Sequence, residues 1–343
     1  MPRLSKKLRR RRNSSELADP MSANLSDSVE STEIEPLPGS YVDEVEVREI
    51  EPPAGPYVDE LETRRPLSPS VGTAAEMCGR PEQLDILDER LRELMNNPRT
   101  LDAFERDLVP IPATVNREGY FGERHLAYWL SGIADLRMVE QLAPSACYSH
   151  VLDFGGASGR FARHIPLANP SAQVTIADLN INHVDWVDRH FSSSVRAIKV
   201  NAIPHFPLAD ASVTLCVGLS VFTHIDVYET GWLAEINRVL AKDCYAVLTI
   251  HSEHSWTAIP SRPWMIEVLN HDPRFAEAYR PDAPMPRERL VFKHVSTSKD
   301  YNVNVFMSAA YIRRAWSRWF EVVAIAPLAH HGFQTAVVLR KTS

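Results

Sequence analysis

Beyond His150 the chain alternates between short apolar runs and amphipathic stretches, and this alternation constrains its fold more than any other feature. Runs at Val151–Phe154, Val174–Asp178, Ala197–Val200, Val213–Gly218 and Tyr245–His251 have the length and β-branched content of strands. Helical spacing fills the intervals at about 159–167, 181–191 and 227–240. Strands that alternate with helices require parallel crossovers, so the pattern predicts an α/β, doubly wound, Rossmann-like sheet. The region 252–308 breaks the rhythm with prolines at 260, 263, 273, 281, 284 and 286. It reads as an insertion capping the carboxyl edge of the sheet. Helical spacing resumes at Tyr311–Arg318, followed by two strand-like runs, Phe320–Ala326 and Thr335–Leu339, linked through His330-His-Gly332. So short a link favours an antiparallel hairpin. Five strands and this hairpin make a seven-stranded sheet.

Ahead of the alternating region the composition changes twice. Residues 1–75 begin with a Lys/Arg cluster, Arg3–Arg12, and continue rich in Ser, Glu and Pro. Large apolar side chains are too few there to offset the entropy of ordering, so a disordered tail is expected. Within it Glu35-Pro-Leu-Pro-Gly-Ser-Tyr-Val-Asp-Glu returns as Glu51-Pro-Pro-Ala-Gly-Pro-Tyr-Val-Asp-Glu. Two copies are too few for a solenoid; a duplicated spacer is favoured over docking motifs centred on Tyr41 and Tyr57. The basic cluster is suited to weak electrostatic contact with an anionic surface, although most such arms are only solvated. Residues 76–149 read as a helical N-terminal segment: Leu84, Ile86, Leu87, Leu91 and Leu94 share one face, and His125–Leu142 forms a second helical stretch. Residues 150–343 carry the α/β domain with its insertion.

Bulk properties exclude several classes. A net charge of −7 leaves no global basicity of the kind that tracks nucleic acid. The four cysteines, Cys78, Cys147, Cys216 and Cys244, contain no Cys-x-x-Cys pair, which fits a reducing compartment without a disulfide framework. No apolar run reaches the length of a membrane span, and the basic N-terminus lacks the apolar stretch of a secretory signal. A soluble, cytoplasmic protein is expected.

Chemistry concentrates in Asp153-Phe-Gly155-Gly156-Ala157-Ser158-Gly159. A bare turn between a first strand and the next helix lets a ligand approach the backbone. The same glycines would serve a tight turn without a ligand, but the place after the first strand favours a ligand. The dinucleotide spacing Gly-x-Gly-x-x-Gly fails in both registers. From Gly155 it meets Ala157 and Arg160, and from Gly156 it meets Ser158 and Phe161. The spacing present resembles the first motif of class I S-adenosylmethionine-dependent methyltransferases, with Ala157 in place of the middle glycine. Val174-Thr-Ile-Ala-Asp178 is similar to the second-strand segment whose acid holds the ribose hydroxyls. Val200-Asn201 onward resembles the third-strand segment, with Asn201 where an acid usually lies near the adenine. Gly218-Leu-Ser220-Val-Phe-Thr-His224-Ile resembles the fourth-strand motif of the small-molecule branch, and the chain's ending looks like a group associated with glycan and secondary-metabolite modification.

The resemblance implies S-adenosyl-L-methionine as cofactor, bound through Asp153, Gly155, Gly156, Gly159, Asp178, Asn201 and Ser220. It also matches Tyr128-Trp-Leu-Ser-Gly132 to a segment lying over the cofactor. The implied reaction is methyl transfer, expected on an oxygen of a small molecule or glycan sugar. For such a transfer a histidine suits removal of a hydroxyl proton. His251, His224 and His254 follow strands at the ligand-binding edge and are the candidate bases, in that order. Each could equally be an ordinary hydrogen-bonded loop residue. His251-Ser-Glu-His254 has metal-like residue types but no third ligand nearby in sequence, so no metal is expected. Trp256, Trp264, Tyr279 and Tyr301 are candidates for stacking on an acceptor, with packing of the insertion as the plainer role. Two rival functions remain open: a nicotinamide-dependent oxidoreductase and a non-catalytic S-adenosylmethionine-binding adaptor.

Overall fold

The computed structural model describes residues 70–293 and 303–343. The Arg3–Arg12 cluster, the repeat with Tyr41 and Tyr57, and Tyr301 lie outside the described residues. Packed structure is already present ahead of the expected boundary at residue 75. Gly72 pairs with Ile111 in an antiparallel bridge, and α1 (Ala74–Cys78) starts in a capping box between Thr73 and Glu76. Ala74 and Met77 are fully buried. The cap and these two apolar positions are local signals that the polar composition around them concealed.

Helices α2 (Pro81–Asp85), α3 (Glu89–Met95) and α4 (Pro98–Arg106) gather around α5 (His125–Leu142). The apolar face read from Leu84 to Leu94 is divided between α2 and α3, so Leu87 is buried while Ile86, at the joint, is 43% exposed. Helix α5 is buried almost all round, which is why its sequence is apolar on every side. Gly132 on this helix permits an intimate approach: a Cβ there would lie 2.0 Å from the Arg160 carbonyl oxygen. Beside it, Asp107 Oδ2 accepts hydrogen bonds from Trp129 Nε1 and Arg163 Nε, both at 2.7 Å, with both charged side chains fully enclosed.

The main sheet contains β1 (His150–Phe154), β2 (Gln173–Asp178), β3 (Val195–Lys199), β4 (Val213–Gly218) and β5 (Leu240–Ile250). These five are parallel, in the order β3-β2-β1-β4-β5. The crossovers carry α6 (His164–Ala168), α7 (Ile181–His190) and α8 (Glu229–Val239). Helix α6 is shorter than expected: residues 159–163 are turns, because Gly159 takes a φ of +84°. Apolar clusters on both faces bury the sheet, one around Leu152, Trp232 and Leu248 and the other around Val151, Trp186 and Val247.

After β5 the insertion forms α9 (Glu253–Ala258), α10 (Pro263–Leu269) and α11 (Pro273–Ala278). It then forms a separate antiparallel pair, β6 (Arg289–Lys293) and β7 (Val303–Met307). It has its own core of Trp256, Met265, Phe275, Phe292 and Phe306. Helix α12 (Ala309–Ala315) returns the chain to the sheet. The closing hairpin places β9 (Gln334–Arg340) antiparallel against β5 and leaves β8 (Glu321–His330) at the edge. Two register shifts in β8, the second between Ala326 and His330, turn the end of that strand toward the helices. Among the described residues no helix is long and apolar enough to cross a membrane.

Candidate functional site

A cleft of about 990 Å³ opens at the carboxyl ends of β1, β2, β4 and β5, where a doubly wound sheet binds ligands. Its floor is the glycine turn after β1. Gly155 has a φ of +70°, and a Cβ there would strike Val221 at 2.5 Å, so no larger residue fits. Ala157, at the position of the resemblance's missing glycine, is also left-handed, with a φ of 47°. Its N–H donates to Asp178 Oδ2 at 2.9 Å, which ties the turn to the end of β2.

Two carboxylates sit under this turn in opposite electrostatic settings. At Asp178, burial favours the neutral acid, but His183 at 3.2 Å and the N–H groups of Asn180 and Ala157 outweigh it and hold the carboxyl below its ordinary value. Asp153 is buried with one oxygen, Oδ2, unpartnered; burial first, then the charges of Asp178 and Asp135, push it up to about 7 against the pull of Arg160.

The structure brings most of the expected cofactor residues together. Asp153, Gly155, Gly156, Asp178 and Ser220 all line the cleft. Ser220 is left-handed, with its N–H on Thr249 Oγ1 and its hydroxyl on Gln334 Oε1. Gly159 does not line it. Its missing Cβ instead makes room for the ring of Phe191, which would lie 2.5 Å away. Asn201 is exposed and outside the lining, its side-chain oxygen near Lys199 Nζ, while its neighbours Val200 and Ala202 face the cleft. The strand ends one residue earlier than the motif spacing implied, which rotates Asn201 out.

The near rim is the loop 114–124, which the sequence marks only as a loop-like link carrying Tyr120 and Phe121. Glu118, Gly119, Phe121 and Gly122 all have positive φ. Buried Arg117 holds the loop, reaching the Gly122 carbonyl and His125 and lying 4.8 Å from the Tyr128 ring centre. Glu118 Oε1 accepts from Asn180 Nδ2 at 2.8 Å, so the loop reaches the end of β2. Two closely spaced glycines were the only local hint. The segment Tyr128–Gly132 does meet the turn: Tyr128 Oη is 3.2 Å from Ser158 Oγ, and Ser131 Oγ accepts from Arg160.

The far wall comes from the insertion and the hairpin. His251 lines it but is 2% exposed, packed between Phe306 and Phe333 with Nδ1 unpartnered. Burial first, then His224 and His330, hold its pKa at about 3. His224 also lines the wall, and its Nδ1 lies 2.7 Å from the Val303 carbonyl oxygen. An acceptor there requires Nδ1 to carry the proton, leaving Nε2 as the basic nitrogen. His254, by contrast, is exposed in the first turn of α9 and outside the cleft lining. Its helix begins immediately after β5 and carries it away. Trp256 is core, stacked with Phe292, and Tyr279 stacks on Phe275; Trp264 alone of the described aromatic candidates is exposed and lines the cleft.

The β1–β2 end fits a nucleoside. Asp178 offers carboxylate oxygens to vicinal hydroxyls, and the bare backbone at Gly155 and Gly156 lets a polar ligand approach. Residues 152–248 match the family model described as a methyltransferase domain. This stretch is similar to a methyltransferase domain. Its cofactor is S-adenosyl-L-methionine. Solved structures resemble the chain more distantly. A SAM-dependent methyltransferase from Methanosarcina mazei is 14% identical, covering 59% of this chain and 97% of its own, with a TM-score of 0.42. The Burkholderia thailandensis 1,6-didemethyltoxoflavin-N1-methyltransferase, with bound 1,6-didemethyltoxoflavin and S-adenosylhomocysteine, is 12% identical over 67% of this chain and 85% of that one, TM-score 0.43. The glycopeptide N-methyltransferase MtfA with sinefungin is 12% identical over 61% and 94%, TM-score 0.42. No curated protein matches the sequence.

Proposed function

We propose that the chain is an S-adenosyl-L-methionine-dependent methyltransferase acting on an oxygen of a small molecule or glycan sugar. The observation that carries this reading is a single cleft with a carboxylate-and-glycine floor at one end and a histidine-bearing wall at the other. Bound S-adenosyl-L-methionine supplies a methyl group already activated on a sulfonium. The protein's task is to align the acceptor, exclude water and take the acceptor's proton. Asp178 holds the ribose, and the turn Gly155–Gly156 admits the cofactor's polar tail. His224 is the base we favour over His251, because the Val303 carbonyl fixes its tautomer with Nε2 basic. A nitrogen held at about 3, as in His251, is a weak proton acceptor near neutral pH. Trp264 offers an aromatic face to the acceptor.

Calorimetry and methyl transfer from labelled cofactor to a panel of hydroxylated small molecules and sugars test this together. Asp178→Ala is expected to weaken cofactor binding at least about thirtyfold, since charged hydrogen bonds to two hydroxyls are lost. Unchanged affinity removes Asp178 from the site. Cofactor binding with no turnover on any acceptor supports an adaptor instead of an enzyme.

A further inference from the structure

One side-chain cluster of the cleft plays no part in the proposed transfer. Asp135 of α5 is buried, and His330 and His331, at the end of β8, both point at it. Nε2 of His330 and Nε2 of His331 each lie 3.4 Å from the same atom, Asp135 Oδ1. The other carboxylate oxygen, Oδ2, is taken by Arg160 Nη1 at 2.5 Å.

The hydrogen bonds around the cluster fix what the His330 ring presents. Gln334 Oε1 receives the hydroxyls of Ser220 and Thr249 at 3.0 and 2.7 Å, so it acts as an acceptor. His330 Nδ1, 3.1 Å from the same oxygen, therefore carries the proton. In the neutral ring, Nε2 then offers a lone pair toward a carboxylate oxygen, and it is buried without a hydrogen-bond partner. Two electron-rich atoms, His330 Nε2 and Asp135 Oδ1, thus face each other, and with His331 Nε2 the three possible ligand atoms lie within 4.8 Å of one another. A cation between them turns that repulsion into coordination.

We infer that Asp135, His330 and His331 form a binding site for a borderline divalent transition ion, zinc foremost. Two imidazoles and one carboxylate oxygen are the ligand types such ions take, whereas magnesium and calcium demand mostly oxygen. The supporting shell is in place: Gln334 orients His330 through Nδ1, and Arg160 orients Asp135 through Oδ2. Because the guanidinium already offsets the carboxylate charge, affinity rests on the two imidazoles, which strengthens the preference for zinc over magnesium. His330 and His331 line the cleft, so the remaining coordination position faces it, and His331, 38% exposed in its side chain, marks the entry path. The ion would pin the β8–β9 turn to α5. Neither the glycine motif nor methyl transfer requires this site.

The test uses the full chain, stripped with a chelator and dialysed, titrated by calorimetry with zinc chloride and with magnesium chloride. One equivalent of zinc is expected to bind, at least about a hundredfold tighter than magnesium. Cobalt in place of zinc reports imidazole coordination through its visible absorption. His331→Gln, the most exposed and least disruptive change, is expected to weaken zinc at least about tenfold, the lower end of what even an outer-sphere partner contributes. His254→Gln, outside the cleft, keeps full affinity. The assignment is overturned if His331→Gln binds zinc as tightly as the parent, which would show uptake elsewhere. It is equally overturned if the folded parent takes up no zinc, in which case a proton lies between His330 and Asp135.

Discussion

The two ends of the cleft are built differently. The floor of the β1–β2 end is assembled from residues within about thirty positions of one another on adjacent strands, joined by hydrogen bonds such as Ala157 N–H to Asp178. The far wall draws on the ends of β4 and β5, the insertion and the closing hairpin. A nearly fixed ligand such as the cofactor can be held by a short, repeatable piece of chain. An acceptor that varies between enzymes is met by segments free to vary independently.

That difference decides what the sequence discloses. Strand periodicity and the glycine spacing located β1, β2, β4 and α5 to within a residue or so, because they are local patterns. Asp178 was readable for the same reason. Asn201 was not, since one residue of strand length decides which way a side chain faces. His254 looked equivalent to His251 by proximity, but the turn into α9 separates them. The Asp135–His330–His331 cluster escaped a search for metal ligands because it depends on a contact between distant segments. The loop 114–124 escaped because backbone strain at Glu118 and Phe121 leaves almost no mark in residue type.

Three perturbations separate the two ends, the first acting on the far wall. His224→Ala should lower turnover about a hundredfold, the usual contribution of a general base, while cofactor affinity measured by calorimetry stays within about twofold. Equal loss of both would mean that the ends are not independent.

The second acts under the floor. The Asp153 carboxyl is raised to about 7 in the folded chain, above its unfolded value. Its contribution to stability is therefore full below the unfolded pKa and is lost as pH rises through about 7. Asp153→Asn removes this dependence. The variant's melting temperature should gain on the parent by several degrees between pH 5 and pH 8, at about 2–4 °C for each kcal/mol. A constant difference across that range would place the proton elsewhere.

The smallest effect concerns Ala157. Its left-handed backbone costs about 1–2 kcal/mol. Part of that is recovered on Ala157→Gly against the glycine's greater freedom when unfolded. The melting temperature should rise by about 1–3 °C with no change in turnover. A fall would show that the methyl group packs usefully in the turn.

The enclosed ion pair between Asp107 and Arg163 has a consequence for where this chain can be cut. Asp107 belongs to the helices ahead of the sheet and Arg163 to the turn behind β1, and neither charge touches water. A fragment trimmed to the recognisable stretch would lose this ion pair and uncover the apolar surface that Leu136, Met138 and Val139 pack against. It would also strip away α5, whose Gly132 lies against the Arg160 backbone. The portion that the family match delimits is thus not a mechanical unit. The smallest piece that can be recognised and the smallest piece that can stand alone are different lengths of the same chain.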